Sequence, residues 1–315
     1  MMTPHPKIVI IGAGAVGCYF GGLLIKAGFP VTFIAREHQI QAFNDHGLTI
    51  EWSDHQETFP ASATTNYAAI TDASFVFIAV KTLASSKTAQ DIAPYLQSNA
   101  TVMSLQNGLD NARLLKEHLS QTCYSAMVYA AIAMNGPNQV KHFGGGSLII
   151  GNTINTQNND RLALIANLFD LANIPNKISE NISTSLWEKF VINCIFNSLS
   201  AIAQINYADL MRSPGILDLT RLIKEECLQI AAKEGVTLDQ SHLNQVIIDI
   251  PVKWPLQMSS MAQDLAKGKP TEIDYLNGAI VAKGQQYGIA TPMNAMLVSI
   301  VKMCEFKKNN FRPTS

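Results

Sequence analysis

Apolar and polar positions alternate in a regular rhythm over the first half of the chain. Short apolar runs are followed by segments in which apolar residues recur at helical spacing. Such runs are typical of strands buried on both faces of a parallel sheet, with helices in the connections. The rhythm therefore predicts an α/β domain with helices on both faces of its sheet. The predicted strands are Lys7–Ile11, Val31–Ala35, Phe75–Val80, Thr101–Ser104 and Cys123–Met127.

Two β-hairpins and a loop are predicted beside these strands. Leu48–Trp52 and Glu57–Pro60 are expected to form the first hairpin, because a polar turn separates two short apolar runs. The second is expected from residue 139 to 150, with Gly144-Gly145-Gly146 at its bend. The Asn-rich stretch 152–159 is expected to be a loop.

The pattern changes near residue 181, after which nearly every segment has helical spacing. Ser185 and Glu188 form an S-x-x-E pattern, which predicts a capping box at the start of a long apolar helix. Two domains are therefore predicted, an α/β domain over 1–180 and an all-helical domain over 181–315. Further helices are predicted over Asp218–Glu234, Leu256–Lys267, Thr271–Tyr287 and Asn294–Phe306.

Composition excludes several classes of protein. Hydrophobic residues make up 47% and charged residues 15% of the 315 positions, which is typical of a folded globular chain. The formal net charge of -1 argues against nucleic acid or an anionic membrane as a partner. No apolar run reaches the ~18 residues of a membrane span, and the N-terminus lacks a signal-peptide pattern. We therefore expect a cytoplasmic protein, and the sequence leaves its assembly open, with a homodimer as one candidate.

Cysteine and histidine usage adds no further site. The 5 cysteines and 7 histidines are scattered along the chain without C-x-x-C pairs or the spacing of metal ligands. We therefore expect neither a disulfide framework nor a bound metal.

The first apolar run leads directly into a glycine motif. Residues Gly12-Ala13-Gly14-Ala15-Val16-Gly17 form G-x-G-x-x-G between a predicted strand and a predicted helix. Gly12 permits the tight turn, Gly14 lets the backbone approach a pyrophosphate, and Gly17 lets the helix pack against the strand. The N–H groups and dipole at the helix N-terminus favour phosphate. In this context the motif predicts a Rossmann dinucleotide-binding domain rather than a glycine-rich turn without a ligand.

Two basic residues bear on the choice of nucleotide. An NAD-binding chain would have Asp or Glu after the second strand, where this sequence has Arg36. A guanidinium can pair with a 2′-phosphate, so Arg36 favours NADP, although Glu37 follows it and an ordinary solvated arginine is the alternative. Lys81 ends the Phe75–Val80 strand, at the edge where ligands bind. It is expected to touch the cofactor phosphates or to be a solvated loop lysine.

The strongest signal in the second domain is a polar stripe. Lys189, Asn193 and Asn197 are spaced four apart and are separated by apolar residues, so they lie on one side of a helix. Buried asparagine amides need partners. Either they bond to neighbouring helices, or they and the lysine face a ligand.

Three shorter segments also contain candidate polar groups. Gln106-Asn107-Gly108 follows the Thr101–Ser104 strand at the ligand-binding edge of the sheet. Ser259-Ser260-Met261 precedes a segment that runs from Thr271 to Gly278. By spacing alone, the acids Glu272 and Asp274 would only complement a helix dipole.

These motifs together resemble the 2-dehydropantoate 2-reductase family, also called ketopantoate reductases. The resemblance covers nearly the whole chain, and W-x-K-x-x-x-N-C-x-x-N and T-E-I-D-Y-L-N-G are its most specific parts. It implies a Rossmann domain followed by a helical domain. It also implies NADPH-dependent reduction of the small 2-keto acid 2-dehydropantoate in pantothenate and coenzyme A biosynthesis.

The resemblance also implies roles for individual residues. Lys189 would be the general acid, and Glu272 would contact cofactor and substrate at the catalytic centre. Asn107 would lie between cofactor and substrate, and the backbone of Ala131 would meet NADP. Side chains implied to bind substrate are Asn107, Lys189, Asn193, Asn197 and Ser260.

One segment departs from the family pattern. The family often has Asn-Gly-Glu-Leu where this chain has Asn206-Tyr207-Ala208-Asp209-Leu210, so Tyr207 replaces an asparagine that touches substrate. A one-residue shift would let Asn206 serve instead. The sequence therefore leaves open a reductase of another branched 2-keto acid. A non-enzymatic NADP sensor is a further alternative, against which the set of Lys189, Asn193 and Glu272 argues.

Overall fold

The computed structural model describes residues 5–153 and 160–310. The chain divides into two compact units, Met1–Ile182 and Ser183–Ser315. The first contains a mixed sheet with helices, and the second is built of helices in the residues described. The predicted fold class, a Rossmann-type domain followed by a helical domain, is confirmed. The Asn-rich loop falls largely outside the described residues.

The first unit is organised around one ten-stranded sheet. The strand order is β4-β3-β9-β8-β7-β6-β1-β2-β5, and β10 pairs with β9. The strands are β1 Ile8–Ile11, β2 Val31–Ile34, β3 Leu48–Glu51, β4 Gln56–Phe59, β5 Ser62–Thr64, β6 Phe75–Ile78, β7 Thr101–Ser104, β8 Cys123–Met134, β9 Gln139–Gly151 and β10 Asn176–Ile178. The helices are α1 Ala15–Lys26, α2 Glu37–His46, α3 Ser85–Ile92, α4 Asn111–Lys116 and α5 Asp160–Leu171.

The central strands are buried on both faces. β1 pairs in parallel with β2 and with β6, and all four of its residues are buried. Ile10 and Phe77 belong to the apolar core on one face of the sheet, whereas Val9 and Val76 belong to the core on the other. Burying such a side chain stabilises the fold by roughly 1.5–3 kcal/mol. This explains why the strands are apolar throughout rather than alternating.

One predicted hairpin is confirmed and the other is wrong. β3 and β4 pair antiparallel as expected. The segment 139–150, however, is a single strand, β9, which pairs antiparallel with β8. Gly144-Gly145-Gly146 lies inside β9 and not at a bend. The pairing of β8 with β9 shifts register twice beside these glycines, between Tyr129 and Ala130 and between Ala131 and Ile132. A Cβ on Gly145 would lie 2.5 Å from the Tyr129 carbonyl oxygen, so these glycines allow a bulge between paired strands.

The second unit consists of helices joined by short connections. α6 begins at the last residue of the first unit, and α8 packs against both α11 and α12. The helices are α6 Ile182–Ala203, α7 Tyr207–Arg212, α8 Ile216–Lys233, α9 Gln240–Lys253, α10 Ser260–Ala266, α11 Asn277–Tyr287 and α12 Pro292–Asn310.

Three predicted helix starts in this unit are wrong. The helix predicted from Leu256 begins only at Ser260, after its cap Ser259. α6 begins three residues before Ser185, so that serine lies inside the helix and does not cap it. The helix predicted from Thr271 begins only at Asn277, after a short 3-10 turn over Ile273–Tyr275. The break falls at Leu276, whose φ of -109° and ψ of -101° are not helical. Glu272 therefore precedes the helix and does not complement its dipole.

No helix among the described residues is long and apolar enough to span a membrane.

Candidate active site

Two glycines of the motif after β1 are required by the protein itself. Gly12 has a φ of +105°, and a Cβ there would lie 2.8 Å from the backbone of Ala79. A Cβ on Gly17 would lie 2.1 Å from the Gly12 carbonyl oxygen. Both positions therefore need glycine for the turn and for the approach of α1 to the strand.

Gly14 differs from these two, because no contact among the described residues requires it. A Cβ there would meet no atom of the described residues within 4 Å, and its φ of -83° suits any residue. Gly14 is exposed and immediately precedes α1, whose N-terminus has no side-chain cap among those residues. An open space over uncapped N–H groups at a helix N-terminus fits the phosphates of a dinucleotide.

Of the remaining residues of the motif, Ala13 is held by a hydrogen bond from α2. Ala13 is buried, and its carbonyl accepts a hydrogen bond of 2.6 Å from Nε2 of Gln39. Ala15 and Val16 form the first turn of α1 and are half-buried. Sequence reasoning missed Gln39, whose only sequence signal is its place in the first turns of the helix after β2.

Arg36 lies beside the glycine motif. Ile34, at the end of β2, is in register with Ile11, and its carbonyl accepts the Gly12 N–H at 3.0 Å. Two residues later, Arg36 is the N-cap residue of α2 and is exposed. Among the described residues its guanidinium has no hydrogen-bond or ion-pair partner, so its donors are available to an anion.

A buried polar network organises the ends of β6 and β7. Gln106 Nε2 donates to the Val80 carbonyl at 2.9 Å and to the Ser85 hydroxyl at 2.7 Å. Asn111 Nδ2 donates to the Asn107 carbonyl at 2.6 Å. Asn107 itself is half-buried, so the network fixes its backbone at the edge of the sheet. The sequence indicated Asn107 as a candidate site residue. It did not indicate that Gln106 and Asn111 would hold this segment in place.

Lys81 and Ala131 lie on other parts of the same unit. Lys81 is exposed and follows Val80, shortly after the end of β6. It immediately precedes a 3-10 turn over Thr82–Ala84. Ala131 is buried in β8, at the register shift between Ala131 and Ile132. The bulge interrupts the regular ladder there.

In the second unit, the polar stripe lies on α6 as predicted. Lys189 is half-buried on this helix. Burial lowers the pKa of its ammonium to about 8, and the charge of Glu272 partly opposes that effect by raising it. The structure therefore brings Lys189 and Glu272 into electrostatic contact, although 83 positions separate them in the sequence.

The two asparagines of the stripe have unused amide groups. Asn193 is half-buried and Asn197 is buried. In the described part of the chain, no group forms a hydrogen bond with either side-chain amide. Neither amide is among the fully buried side-chain atoms without a partner in that part of the chain, so both remain reachable from solvent. This favours the interpretation that they face a ligand over the one in which they bond to neighbouring helices.

The two adjacent serines have different environments. Ser259 is fully buried, caps α10 by accepting from the Ala262 N–H at 3.0 Å, and donates to the Asn197 carbonyl at 3.2 Å. Ser260 is exposed at the first position of α10. The buried serine thus fixes α10 against α6, which places Ser260 near the end of the polar stripe.

The segment that departs from the family pattern gives Asn206 a structural role. Its side chain caps α7, with Oδ1 accepting from the Asp209 N–H at 2.9 Å and Nδ2 donating to the Asp209 carboxylate at 2.7 Å. Tyr207 is half-buried, and its ring packs edge-on against Phe196, with 5.0 Å between the centroids. Burial raises the pKa of its hydroxyl. The geometry therefore gives no support to Asn206 as a substrate ligand.

Two family models match the chain, one in each unit. Residues 8–155 match the ketopantoate reductase PanE/ApbA family, and residues 181–305 match the PanE/ApbA C-terminal family. A curated 2-dehydropantoate 2-reductase from Lactococcus lactis is 30% identical over 94% of this chain and 96% of its own length. One from Archaeoglobus fulgidus is 27% identical over 95% of this chain and 98% of its own length.

Solved structures agree with these matches. The PanE/ApbA family ketopantoate reductase from Ralstonia eutropha JMP134 is 40% identical, with a TM-score of 0.89 over 96% of this chain and 100% of that one. A ternary structure of D-mandelate dehydrogenase with NADH and anilino(oxo)acetate is 28% identical, with a TM-score of 0.89 over 96% and 99%. Sequence models for both units and structures of full length lead to one conclusion: the chain belongs to the ketopantoate reductase family of dinucleotide-dependent oxidoreductases.

Proposed function

We propose that the protein reduces the keto group of 2-dehydropantoate with NADPH. The observation that supports this best is Lys189, a half-buried ammonium with a pKa of about 8, beside Glu272 and one turn before Asn193. Reduction of a keto group needs a hydride, which a reduced dinucleotide supplies when bound, and a proton at the carbonyl oxygen. Lys189 is the proposed source of that proton.

The environment of Lys189 suits it to general-acid catalysis. With a pKa of about 8, the ammonium is protonated in most molecules at pH 7, yet it gives up its proton more readily than an exposed lysine. A general acid of this kind accelerates a reaction by ~10²–10⁴-fold. Glu272 keeps Lys189 charged, and the free amides of Asn193 and Asn197 can bind a keto or carboxylate oxygen.

The proposed choice of nucleotide rests on Arg36. Its exposed guanidinium follows β2, where a chain selective for NAD would have an acid. A guanidinium binds a phosphate through paired, charge-assisted hydrogen bonds. The 2′-phosphate of NADPH is therefore the proposed partner of Arg36, while the N–H groups of Gly14 to Gly17 bind the pyrophosphate.

A second candidate function is reduction of a 2-keto acid with an apolar or aromatic side chain. Tyr207 and Phe196 form an aromatic pair where the family often has a polar asparagine. The chain is also similar to D-mandelate dehydrogenase, whose structure contains anilino(oxo)acetate. The aromatic pair would contact the side chain of such a substrate.

The test is the rate of NADPH oxidation with a panel of 2-keto acids. We expect kcat/KM to be highest for 2-dehydropantoate. A higher value for phenylglyoxylate or 2-oxoisovalerate would instead support the second candidate. Absence of oxidation with every member of the panel would contradict both and would favour an NADP-binding protein without this activity.

A further inference from the structure

The two groups proposed for the chemistry come from separate segments whose relative position must be fixed. Lys189 lies on α6, whereas Glu272 lies in the connection before α11. The charge of Glu272 raises the pKa of Lys189 against the effect of burial. A change in the distance between the segments would therefore change the protonation of Lys189.

A hydrogen bond from Asn277 joins these segments. Asn277 is fully buried at the start of α11, and its Nδ2 donates to the Cys194 carbonyl of α6 at 2.9 Å. Asn277 lies five positions after Glu272, and Cys194 lies five positions after Lys189. The bond is therefore close along both segments to the proposed catalytic pair.

The direction of this bond is set by a buried carboxylate. Glu226 of α8 accepts the backbone N–H groups of Met293 at 2.8 Å and Asn294 at 3.0 Å, at the start of α12. It also accepts Asn294 Nδ2 at 2.7 Å. A carboxylate bonded in this way only accepts, so the amide nitrogen of Asn294 must face it.

The orientation of Asn294 then determines that of Asn277. With its nitrogen towards Glu226, Asn294 presents Oδ1 to Asn277 Nδ2 at 2.9 Å. The nitrogen of Asn277 consequently has one N–H for Asn294 and the other for the Cys194 carbonyl. Four helices, α8, α12, α11 and α6, are connected by this chain of bonds, which we call the amide relay (Glu226, Asn294, Asn277 and the Cys194 carbonyl).

The relay is not optimal for stability. The Oδ1 atom of Asn277 is buried and has no hydrogen-bond partner among the described residues. A buried acceptor without a partner destabilises the folded state, and the two bonds from Nδ2 to the Cys194 carbonyl and to Asn294 offset that cost. The amide is therefore held in place by its nitrogen, which joins α11 to α6 and to α12.

We infer that Asn277 is a positioning residue: through the Cys194 carbonyl it holds the helix that contains Lys189 in fixed register with the segment that contains Glu272. The inference rests on the proposed function for its catalytic consequence. Of the other carboxylates near this segment, Asp274 is paired with Lys302, and Glu305 accepts the Thr271 N–H. Glu272 is the charge that acts on Lys189.

The test is the pKa of Lys189 in Asn277→Leu, measured without any substrate. Competitive labelling with trace acetic anhydride, followed by mass spectrometry of the Lys189 peptide over a range of pH, gives this value directly. We expect the parent value near 8 to fall by about half a unit or more, because Glu272 is released while Lys189 stays desolvated. The kcat should fall about tenfold or more, since misplaced catalytic groups lose rate, while the Kd for NADPH stays unchanged.

Ser198→Ala is the matched control. The Ser198 hydroxyl donates to the same Cys194 carbonyl at 2.7 Å, but it belongs to α6 and, in the described part of the chain, connects no other segment. Its removal should leave the Lys189 pKa and kcat unchanged. Asn277→Ala removes the same donor without adding a larger apolar side chain, so it tests the inference should Asn277→Leu fail to fold.

The outcomes separate this inference from the proposed function. A Lys189 pKa in Asn277→Leu or Asn277→Ala that is unchanged or raised would overturn the positioning role. Labelling requires no turnover, so the result holds whichever 2-keto acid is the substrate. Failure of the parent to reduce any 2-keto acid would overturn the proposed function alone.

Discussion

In the first unit the candidate ligand groups are mostly backbone atoms at the ends of strands, whereas in the second they are side chains, three of them on α6. The space over Gly14 exists because β1, β2 and β6 end together, and almost any apolar strand residues would produce it. The site around Lys189 instead depends on identities at Lys189, Asn193 and Glu272. Substitutions should therefore affect binding of the nucleotide and the chemical step separately.

The largest effect is expected from Lys189→Met, which keeps the apolar stem and removes the charge. The kcat with saturating 2-dehydropantoate should fall by ~10²–10⁴-fold, the usual consequence of losing a general acid. The Kd for NADPH, measured by fluorescence, should not change, because the proposed phosphate site lies in the other unit. A kcat within about threefold of the parent would show that the proton comes from another group.

Arg36→Ala should affect the nucleotide and leave the chemical step intact. Loss of a charge-assisted contact costs about 1.5–3 kcal/mol, so KM for NADPH should rise roughly tenfold or more. The KM for NADH should hardly change, because that nucleotide has no 2′-phosphate. Equal efficiency of the parent with both nucleotides would contradict the role given to Arg36.

Two glycines of one motif allow a sharper test within the first unit. Gly17→Ala should reduce the free energy of unfolding by about 1–3 kcal/mol or more, since its Cβ would lie 2.1 Å from the Gly12 carbonyl oxygen. Gly14→Ala should leave the Tm unchanged and weaken NADPH binding, because its Cβ would meet no atom of the described residues but would meet the proposed pyrophosphate. Thermal unfolding and fluorescence titration of both variants decide this, and normal binding by Gly14→Ala would refute the proposed phosphate position.

The smallest expected effect concerns the stripe asparagines. Asn193→Ala and Asn197→Ala each remove a hydrogen bond to substrate worth roughly 0.5–1.5 kcal/mol, so KM for the keto acid should rise about two- to tenfold. Because these amides have no partner among the described residues, the Tm should not fall. A lower Tm with unchanged KM would mean that the amides are structural.

The sequence predicts the features that depend on local pattern. The apolar runs before Gly12 and at Phe75–Ile78 lie where buried parallel strands are found, and Lys189, Asn193 and Asn197 share a helix as their spacing requires. Each of these follows from strand or helix periodicity within a short window. The resemblance to the family implies roles for these residues, which stay predictions, and it says nothing of their environments.

The features that the sequence misses depend on tertiary packing. Gly144 to Gly146 look like a bend, yet they allow a bulge because β8 continues opposite them. The segment after Thr271 has helical spacing, yet Leu276 breaks it. The amide relay joins residues up to 83 positions apart, and no local pattern distinguishes Asn277 from a solvent-exposed asparagine.

The most direct test of the whole account is the dependence of kcat/KM on pH for the parent protein with NADPH and 2-dehydropantoate. Lys189 must be protonated to act as the acid, and its pKa is lowered to about 8 by burial. We therefore predict that kcat/KM is high near pH 7, falls as the pH rises through about 8, and loses this dependence in Lys189→Met. Turnover that stays constant from pH 7 to well above 8, or that does not require a 2-keto acid, would contradict the account.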